Sequence, residues 1–499
     1  MRRKLRVLLL AALLGSVATL GGTATTGSAS STSANPADWK LWHLTAASQF
    51  RPSAPPAAGS RTTKAELRQL KRLQRKRTAK IQELVRKWNG TPAAAVWTDV
   101  ALQMIRDYRP RPPFSARILA LLETGMYDAM VAAADASRVY ARNRPAPSKL
   151  DPSIKPLVKG AHACVPPEAA IAGAAEKLLA YLFPAEPTRT FTALATQAVN
   201  SRLYAGTNYR GDLQSARALG QKVAAVVIAY ARADRSNSTG FSEGPFRGEE
   251  FWVTSPPSYE GAVGGPVGKW KPWLLKEPGS MRHVLPGPSK YGPPQFMAQL
   301  QKVLDTSFKL TPEQKQIADF WDDRPGTNTP PGHWVAIALQ LIKAYKTPPA
   351  QAARILALLG TVEADSVIAA WEAKYHWWSI RPITAIWRLC DGGGKLCTEA
   401  EVTAQPSRAT YRNRWYSYIT TPPFPAYPSG HAAFSGGGAR LLGHFYPKAR
   451  ASLNALADQA ALSRLLGGIH FEEDNRDGLL LGRAVADLAI ARAVSDGSG

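Results

Sequence analysis

ARILALLETGMYDAMVAA (residues 116–133) and ARILALLGTVEADSVIAA (residues 353–370) are one segment written twice in the same chain. The match extends outward in both directions. WTDVALQMIRDY, from Trp97, aligns with WVAIALQLIKAY, from Trp334, in the same register and without a gap. Downstream, RNRP ending at Pro145 falls under SIRP ending at Pro382. EAAIAGAAEKLLAYLFP from Glu168 falls under HAAFSGGGARLLGHFYP from His431, and SRLYAGTNYRGD from Ser201 under SRLLGGIHFEED from Ser463. Self-similarity in a consistent register is the mark of a duplicated architecture. The repeated unit is rich in Ala and Leu at helical spacing and poor in β-branched alternation. The expected fold is all-α: two tandem helical bundles related by internal duplication, over residues 91–235 and 316–495. A Pro/Gly/Trp-rich connector, residues 236–315, separates them and is expected to cover the second bundle or line its entrance.

The ends of the chain read differently. Arg2, Arg3, Lys4 and Arg6 precede an apolar run, Val7 to Leu14, and small residues follow through Ser30. This is the pattern of a signal peptide over residues 1–30 and implies a secreted protein. The apolar run falls short of the ~20 residues a membrane span needs, so no membrane anchor is expected after cleavage. Residues 31–90 form a basic segment, densest between Lys64 and Lys87. Its spacing predicts a solvated amphipathic helix, and no nucleic-acid-binding motif accompanies it. The formal net charge of +25 favours anionic partners, small oxyanions included. Cys390 and Cys397 flank a Gly-rich turn, which in a secreted chain predicts a local disulfide, leaving Cys164 as a buried thiol. Cys and His show no metal-ligand spacing.

The two copies diverge where chemistry would sit. Lys374 is opposed by Ser137, His431 by Glu168 and His470 by Asn208, whereas Arg144, Arg202 and Asp212 persist in the first half. A single site in the C-terminal bundle follows. Lys374, Arg381 and Arg464 supply three cations, and arginine's planar fork suits oxyanions. In PSGH, Pro428 and Ser429 read as a helix start, which leaves the N–H groups near Gly430 open to an anion. One histidine could bond the central atom of that anion and the other shuttle a proton. Asp474, four residues after His470, can reach its imidazole and fix the tautomer. A protein that merely binds an oxyanion has no need of both histidines. Asp323, in WDDRPGTNTPP, is expected to pair with one of the arginines.

Taken in order, Lys374, Arg381, Pro382, Pro428, Ser429, Gly430, His431, Ser463, Arg464, His470 and Asp474 resemble the three-part signature of the type 2 phosphatidic acid phosphatase superfamily. Within it, the duplicated bundles are similar to the vanadium-dependent haloperoxidases, the vanadium chloroperoxidases above all. The resemblance implies vanadate as cofactor, with no haem or flavin, and hydrogen peroxide, a halide and a small organic acceptor as reaction partners. It implies His470 as the axial vanadium ligand, or as the phosphorylated nucleophile if the chain is an acid phosphatase. It implies His431 as the acid–base residue, and Lys374, Arg381, Ser429, Gly430 and Arg464 as holders of the equatorial oxygens. Phe424 stands where chloroperoxidases carry Phe, which points to an apolar halide pocket.

Overall fold

The computed structural model describes residues 35–140, 145–158, 163–239, 246–256, 258–391 and 415–498. The expected leader and Cys397 lie outside the described residues, and with Cys397 the expected bridge to Cys390. Cys164 is buried, its thiol donating to the Tyr140 carbonyl at 3.4 Å.

The basic segment forms two helices, α1 (Arg61–Arg75) and α2 (Ala79–Asn89), capped by Ser60 and Thr78 side chains. The first bundle follows with α3 (Ala93–Tyr108), α4 (Pro112–Tyr140), α5 (Pro167–Leu182), α6 (Thr188–Ala205) and α7 (Arg210–Ala233). After two 3₁₀ turns, Gly265–Lys269 and Pro278–Val284, come α8 (Pro294–Phe308), α9 (Pro312–Phe320) and α10 (Thr329–Ala344). The chain ends with α11 (Pro349–Trp377), α12 (Pro382–Asp391), α13 (Gly430–Phe445), α14 (Arg450–Leu466) and α15 (Glu472–Val494). The described residues contain no strand, only isolated bridges at Phe251–Ser379 and Pro325–Thr327. No described helix is long and apolar enough to cross a membrane.

The duplication is therefore structural: α3, α4, α5, α6 and α7 recur as α10, α11, α13, α14 and α15 with nearly the same lengths. The tight crossing in each bundle is repeated as well. A Cβ on Gly220 would lie 1.9 Å from the Ala170 carbonyl oxygen, and one on Gly482 would lie 1.9 Å from that of Ala433. Only glycine lets α7 sit on α5, and α15 on α13, at that distance.

The long helices α4 and α11 are buried nearly all round, as helices hydrophobic on every face must be. They pack against each other and join the two bundles. Where they meet, Glu123 and Glu363 are both buried. Thr98 reaches Glu123 at 3.4 Å, while both oxygens of Glu363 lack a partner among the described residues. Burial holds both carboxyls well above the usual range, and for Glu363 the neighbouring Glu123 adds to it. The folded state thus keeps a proton that the unfolded chain gives up above its ordinary value of about 4.3. Stability falls as pH rises from there toward the folded value. Glu363→Met removes Glu363's share of that slope and leaves only that of Glu123. Thermal melting should show it more stable than the parent at pH 8, by about 2 °C or more, with a smaller difference at pH 5.

Two short straps tie the bundles together, and they too are copies: WKLWHL (residues 39–44) and WKPWLL (residues 270–275). The N–H groups of Trp42, His43 and Leu44 converge on the Asp128 carboxylate of α4 at 2.7–3.0 Å. Those of Trp273, Leu274 and Leu275 converge on Asp365 of α11 at 2.6–2.9 Å. Each strap also reaches the other bundle. Lys40 N donates to the Asp496 carbonyl just beyond α15, and Lys271 N to the Asp234 carbonyl just beyond α7. Those two aspartates are held by matching arginines: Arg117 bonds Asp234 and Ala231, and Arg354 bonds Asp496 and Ala493.

Candidate functional site

Helix ends at one side of the second bundle collect the polar residues. Lys374 lies in the last turn of α11, which stops at Trp378 with φ +51°. Arg381 immediately precedes α12. Ser429 caps α13, its hydroxyl facing Ala432 N, so Gly430 and His431 occupy the first positions of that helix. Arg464 sits in the last turn of α14. The chain then turns through Gly467 and Gly468 to His470, and α15 begins at Glu472. The double glycine has two separate causes. A Cβ on Gly467 would meet Ile419 at 2.6 Å, and Gly468 has φ +74°.

Three cations converge here inside the protein. Lys374 and Arg381 are 0 % exposed and Arg464 is 1 % exposed. Lys374 Nζ donates to the carbonyls of Pro425 and Ala426 at 2.9 and 2.7 Å, which leaves one of its three protons for another acceptor. Arg381 donates through Nε to Phe424 O at 2.8 Å and through Nη1 to Ile469 O at 2.7 Å, while its buried Nη2 has no partner among the described residues. Arg464 donates to Ser463 Oγ at 2.9 Å and to the Trp321 carbonyl. Burial works against all three charges. It holds Lys374 well below its ordinary range, brings Arg381 down to about 9 and Arg464 down to about 10. Buried cations that form no ion pair among the described residues are costly unless an anion joins them. The free Nη2 of Arg381 and the open N–H groups at the start of α13 give that anion donors. The residues present thus fit an oxyanion. Among the described residues no three His, Cys, Asp or Glu side chains gather to hold a bare cation.

The histidines take definite tautomers because arginine can only donate. Arg381 Nη1 lies 3.1 Å from His470 Nε2, so that nitrogen accepts and carries a lone pair. The proton is then on Nδ1, which donates to Asp474 Oδ2 at 2.9 Å. The same carboxylate oxygen accepts from Phe471 N at 3.0 Å. Burial, then the charges of Arg381, Lys374 and Arg464, hold His470 well below the ordinary imidazole value, so the ring stays unprotonated at Nε2. Burial raises the Asp474 carboxyl, and Lys374 opposes it. His431 is partly exposed. Its Nε2 accepts from Arg464 Nη1 at 3.2 Å, and its ring meets the main chain of Asp322 and Trp321. Burial and Arg464 hold it well below its ordinary value, as an unprotonated base.

The structure brings Lys374, Arg381, Ser429, Gly430, His431, Arg464, His470 and Asp474 together, with Phe424 beside them. The Phe424 ring is 5.2 Å from Lys374 Nζ and 5.0 Å from the Arg381 guanidinium. Asp323 is placed otherwise than expected: its carboxylate bonds His333 Nδ1 at 2.9 Å, not an arginine. The turn after α9 offers Arg464 a main-chain carbonyl, and this releases Asp323 for α10. Sequence reasoning also missed Trp371. It is buried one turn before Lys374, its ring 5.1 Å from Phe424, and a Cβ on Gly430 would meet it at 3.1 Å. The i, i+3 spacing from Lys374 was the available signal.

The first bundle shows the same frame closed from within. Arg202, the counterpart of Arg464, pairs with Glu168 at 3.2 Å, where the second bundle has His431. It also bonds Asn208 at 3.2 Å, where the second bundle has His470, and Asn89 at 2.9 Å. Ser137, at the place of Lys374, exchanges bonds with the main chain of Val165. A carboxylate of the protein's own neutralises Arg202, so among the described residues this arginine needs no external anion; Arg144 lies outside them.

Residues 354–454 and 446–496 match the family model of the VCPO second helical-bundle domain. No curated protein matches the sequence. Among solved structures, a bacterial vanadium-dependent iodoperoxidase superposes with a TM-score of 0.62 at 22 % identity, over 81 % of this chain and 96 % of that one. A bacterial vanadium-dependent chloroperoxidase superposes in its apo form with a TM-score of 0.56 at 14 % identity, over 77 % of this chain and 94 % of that one. The holo form gives 0.53 at 14 % identity, over 79 % and 98 %. At these identities the likeness to the solved structures is one of fold, and the family model adds the second bundle's own sequence. The second bundle thus matches the VCPO second helical-bundle domain, and the chain as a whole is similar in fold to the solved vanadium-dependent haloperoxidases.

Proposed function

We propose that the chain is a haloperoxidase that holds vanadate and oxidises a halide with hydrogen peroxide, passing the oxidised halogen to a small organic acceptor. One observation carries the reading: three buried cations, one with an unpartnered donor, face a neutral histidine whose lone pair is fixed by Asp474 behind it. Lys374, Arg381 and Arg464, with the N–H groups at Gly430, would hold vanadate's oxygens, and His470 Nε2 would bind its vanadium. Bound vanadate supplies a Lewis-acid centre that activates peroxide without changing oxidation state. His431 Nε2 is the base that takes a proton from incoming peroxide and returns it as water leaves. The net reaction, peroxide plus halide plus one proton giving hypohalous acid and water, needs such a group. Asp474 keeps His470 in the Nδ1–H tautomer throughout. Trp371 and Phe424 shield the cage from bulk water and offer the halide an apolar wall.

Phosphate matches vanadate in shape and charge, so the same residues would serve a phosphomonoesterase with His470 as nucleophile and His431 as acid. The two-bundle fold and the VCPO domain favour the peroxidase. Protein loaded with vanadate should brominate, iodinate or chlorinate monochlorodimedone in the presence of peroxide. Hydrolysis of p-nitrophenyl phosphate by the vanadate-free protein, with no halogenation for any halide at any pH, would overturn the proposal. We also infer secretion from the residue 1–30 pattern. Recovery from culture medium, with an N-terminus past the Val7–Leu14 run, tests it.

A further inference from the structure

The unexpected bond between Asp323 and His333 lies beside Trp321, whose carbonyl holds Arg464 of the cage. Asp323 is buried, with φ +44°, a backbone conformation that a non-glycine residue adopts only where its surroundings hold it. His333, near the start of α10, donates its Nδ1–H to that carboxylate at 2.9 Å. The His333 ring stacks on Trp321, with centroids 4.5 Å apart and planes at 22°. Trp321 is itself buried and bonds Gln459 of α14 through Nε1 at 3.0 Å. Its carbonyl accepts from Arg464 Nη2, while Arg464 Nη1 donates to His431 Nε2. His431 in turn meets the main chain at Trp321 and Asp322. The turn after α9 therefore supplies the carbonyl that holds Arg464, through which His431 is oriented, and His333 with Asp323 pins that turn.

The quiet bundle supplies the control. In the register that aligns Trp97 with Trp334, Val96 stands at the place of His333. There Arg202 is held by the side chains of Asn89 and Glu168. Scaffold alone thus does without this histidine, which accompanies the half that has the site.

We propose that Asp323 and His333 form a positioning dyad that holds the Trp321–Asp322 main chain against Arg464 and His431, and so aims the proton-transferring nitrogen of His431 into the site. The role of His431 rests on the reading above, whether the reaction is halide oxidation or phosphoester hydrolysis. His333→Phe keeps a ring on Trp321 and removes the bond to Asp323. His333→Asn returns an N–H to Asp323 without the imidazole. In His333→Phe turnover should fall about tenfold or more, while the affinity for inorganic phosphate, which Arg464 shares with Lys374 and Arg381, falls clearly less and the melting temperature stays close to the parent's. Amide hydrogen exchange across residues 319–328 should quicken in the same variant. His333→Asn should restore both turnover and protection. Parent-like turnover in His333→Phe overturns the proposal. A parallel fall in turnover, phosphate affinity and melting temperature also overturns it, because the dyad would then be scaffold only. If the parent hydrolyses p-nitrophenyl phosphate and does not halogenate, the comparison is made on that reaction, so the two readings fail separately.

Discussion

His470→Ala should abolish the proposed activity, by roughly 10³-fold or more, and Asn208→Ala should leave it as it was. The pair is the sharpest available test of a one-site enzyme, because the two residues hold the same place in the two bundles. His470 Nε2 carries a lone pair, fixed by Asp474 behind the ring, among three buried cations. Alanine removes it and leaves Asp474 facing Lys374 and Arg381 without its imidazole partner. Vanadate affinity should fall with turnover, and equilibrium binding followed by vanadium NMR reads it without any assay of catalysis. Among the described residues Asn208 bonds Arg202, Thr207 and the Ala163 carbonyl, all in the first bundle and none of them part of the cage. Lost activity in Asn208→Ala would undo the assignment of a single site, and retained activity in His470→Ala would undo the site itself.

Asp365→Ala should cost about 3–5 kcal/mol of stability, the largest single loss expected outside the site. The carboxylate is buried and accepts from three successive N–H groups of the strap at residues 273–275. Truncation leaves three donors with no acceptor and no water. The strap covers α11 next to the site: a Cβ on Gly268 would touch the Glu372 main chain at 2.7 Å, and one on Gly264 the Trp371 indole nitrogen at 2.4 Å. Phosphate binding should therefore weaken along with stability. Asp365→Asn keeps an acceptor and should lose less. Urea denaturation gives the ranking, and a loss under about 1 kcal/mol for the alanine variant would show that the strap is held by its tryptophans instead.

The frame and most of the cage were legible from residues alone, for physical reasons. Ala/Leu periodicity reports helices directly, and two copies in one register report their arrangement. Asp474 could be assigned to His470 because a helix starting between them puts a carboxylate within reach of an imidazole four residues earlier. The acceptors that hold the cations were not legible. Lys374 and Arg381 are bound by the carbonyls of Pro425, Ala426, Phe424 and Ile469, and a main-chain carbonyl has no residue signature. Asp323 was assigned to an arginine for the same reason: the carbonyl of Trp321 does that work and leaves the carboxylate to His333. The straps were legible in principle, as two copies of W-K-x-W. Their offset differs from that of the helices, so a search in the helical register passes over them.

Those straps say what the bundle without a site is for. Each precedes its own bundle in the chain, lies on that bundle's longest helix, and fastens to the residue closing the other bundle's last helix. Two identical subunits exchanging N-terminal arms about a twofold axis would look the same, with each arm trapped between both partners. Here the exchange is internal, with a single polypeptide playing both subunits. The half that lost its histidines cannot be pruned, since Asp234 anchors the arm that roofs the working one.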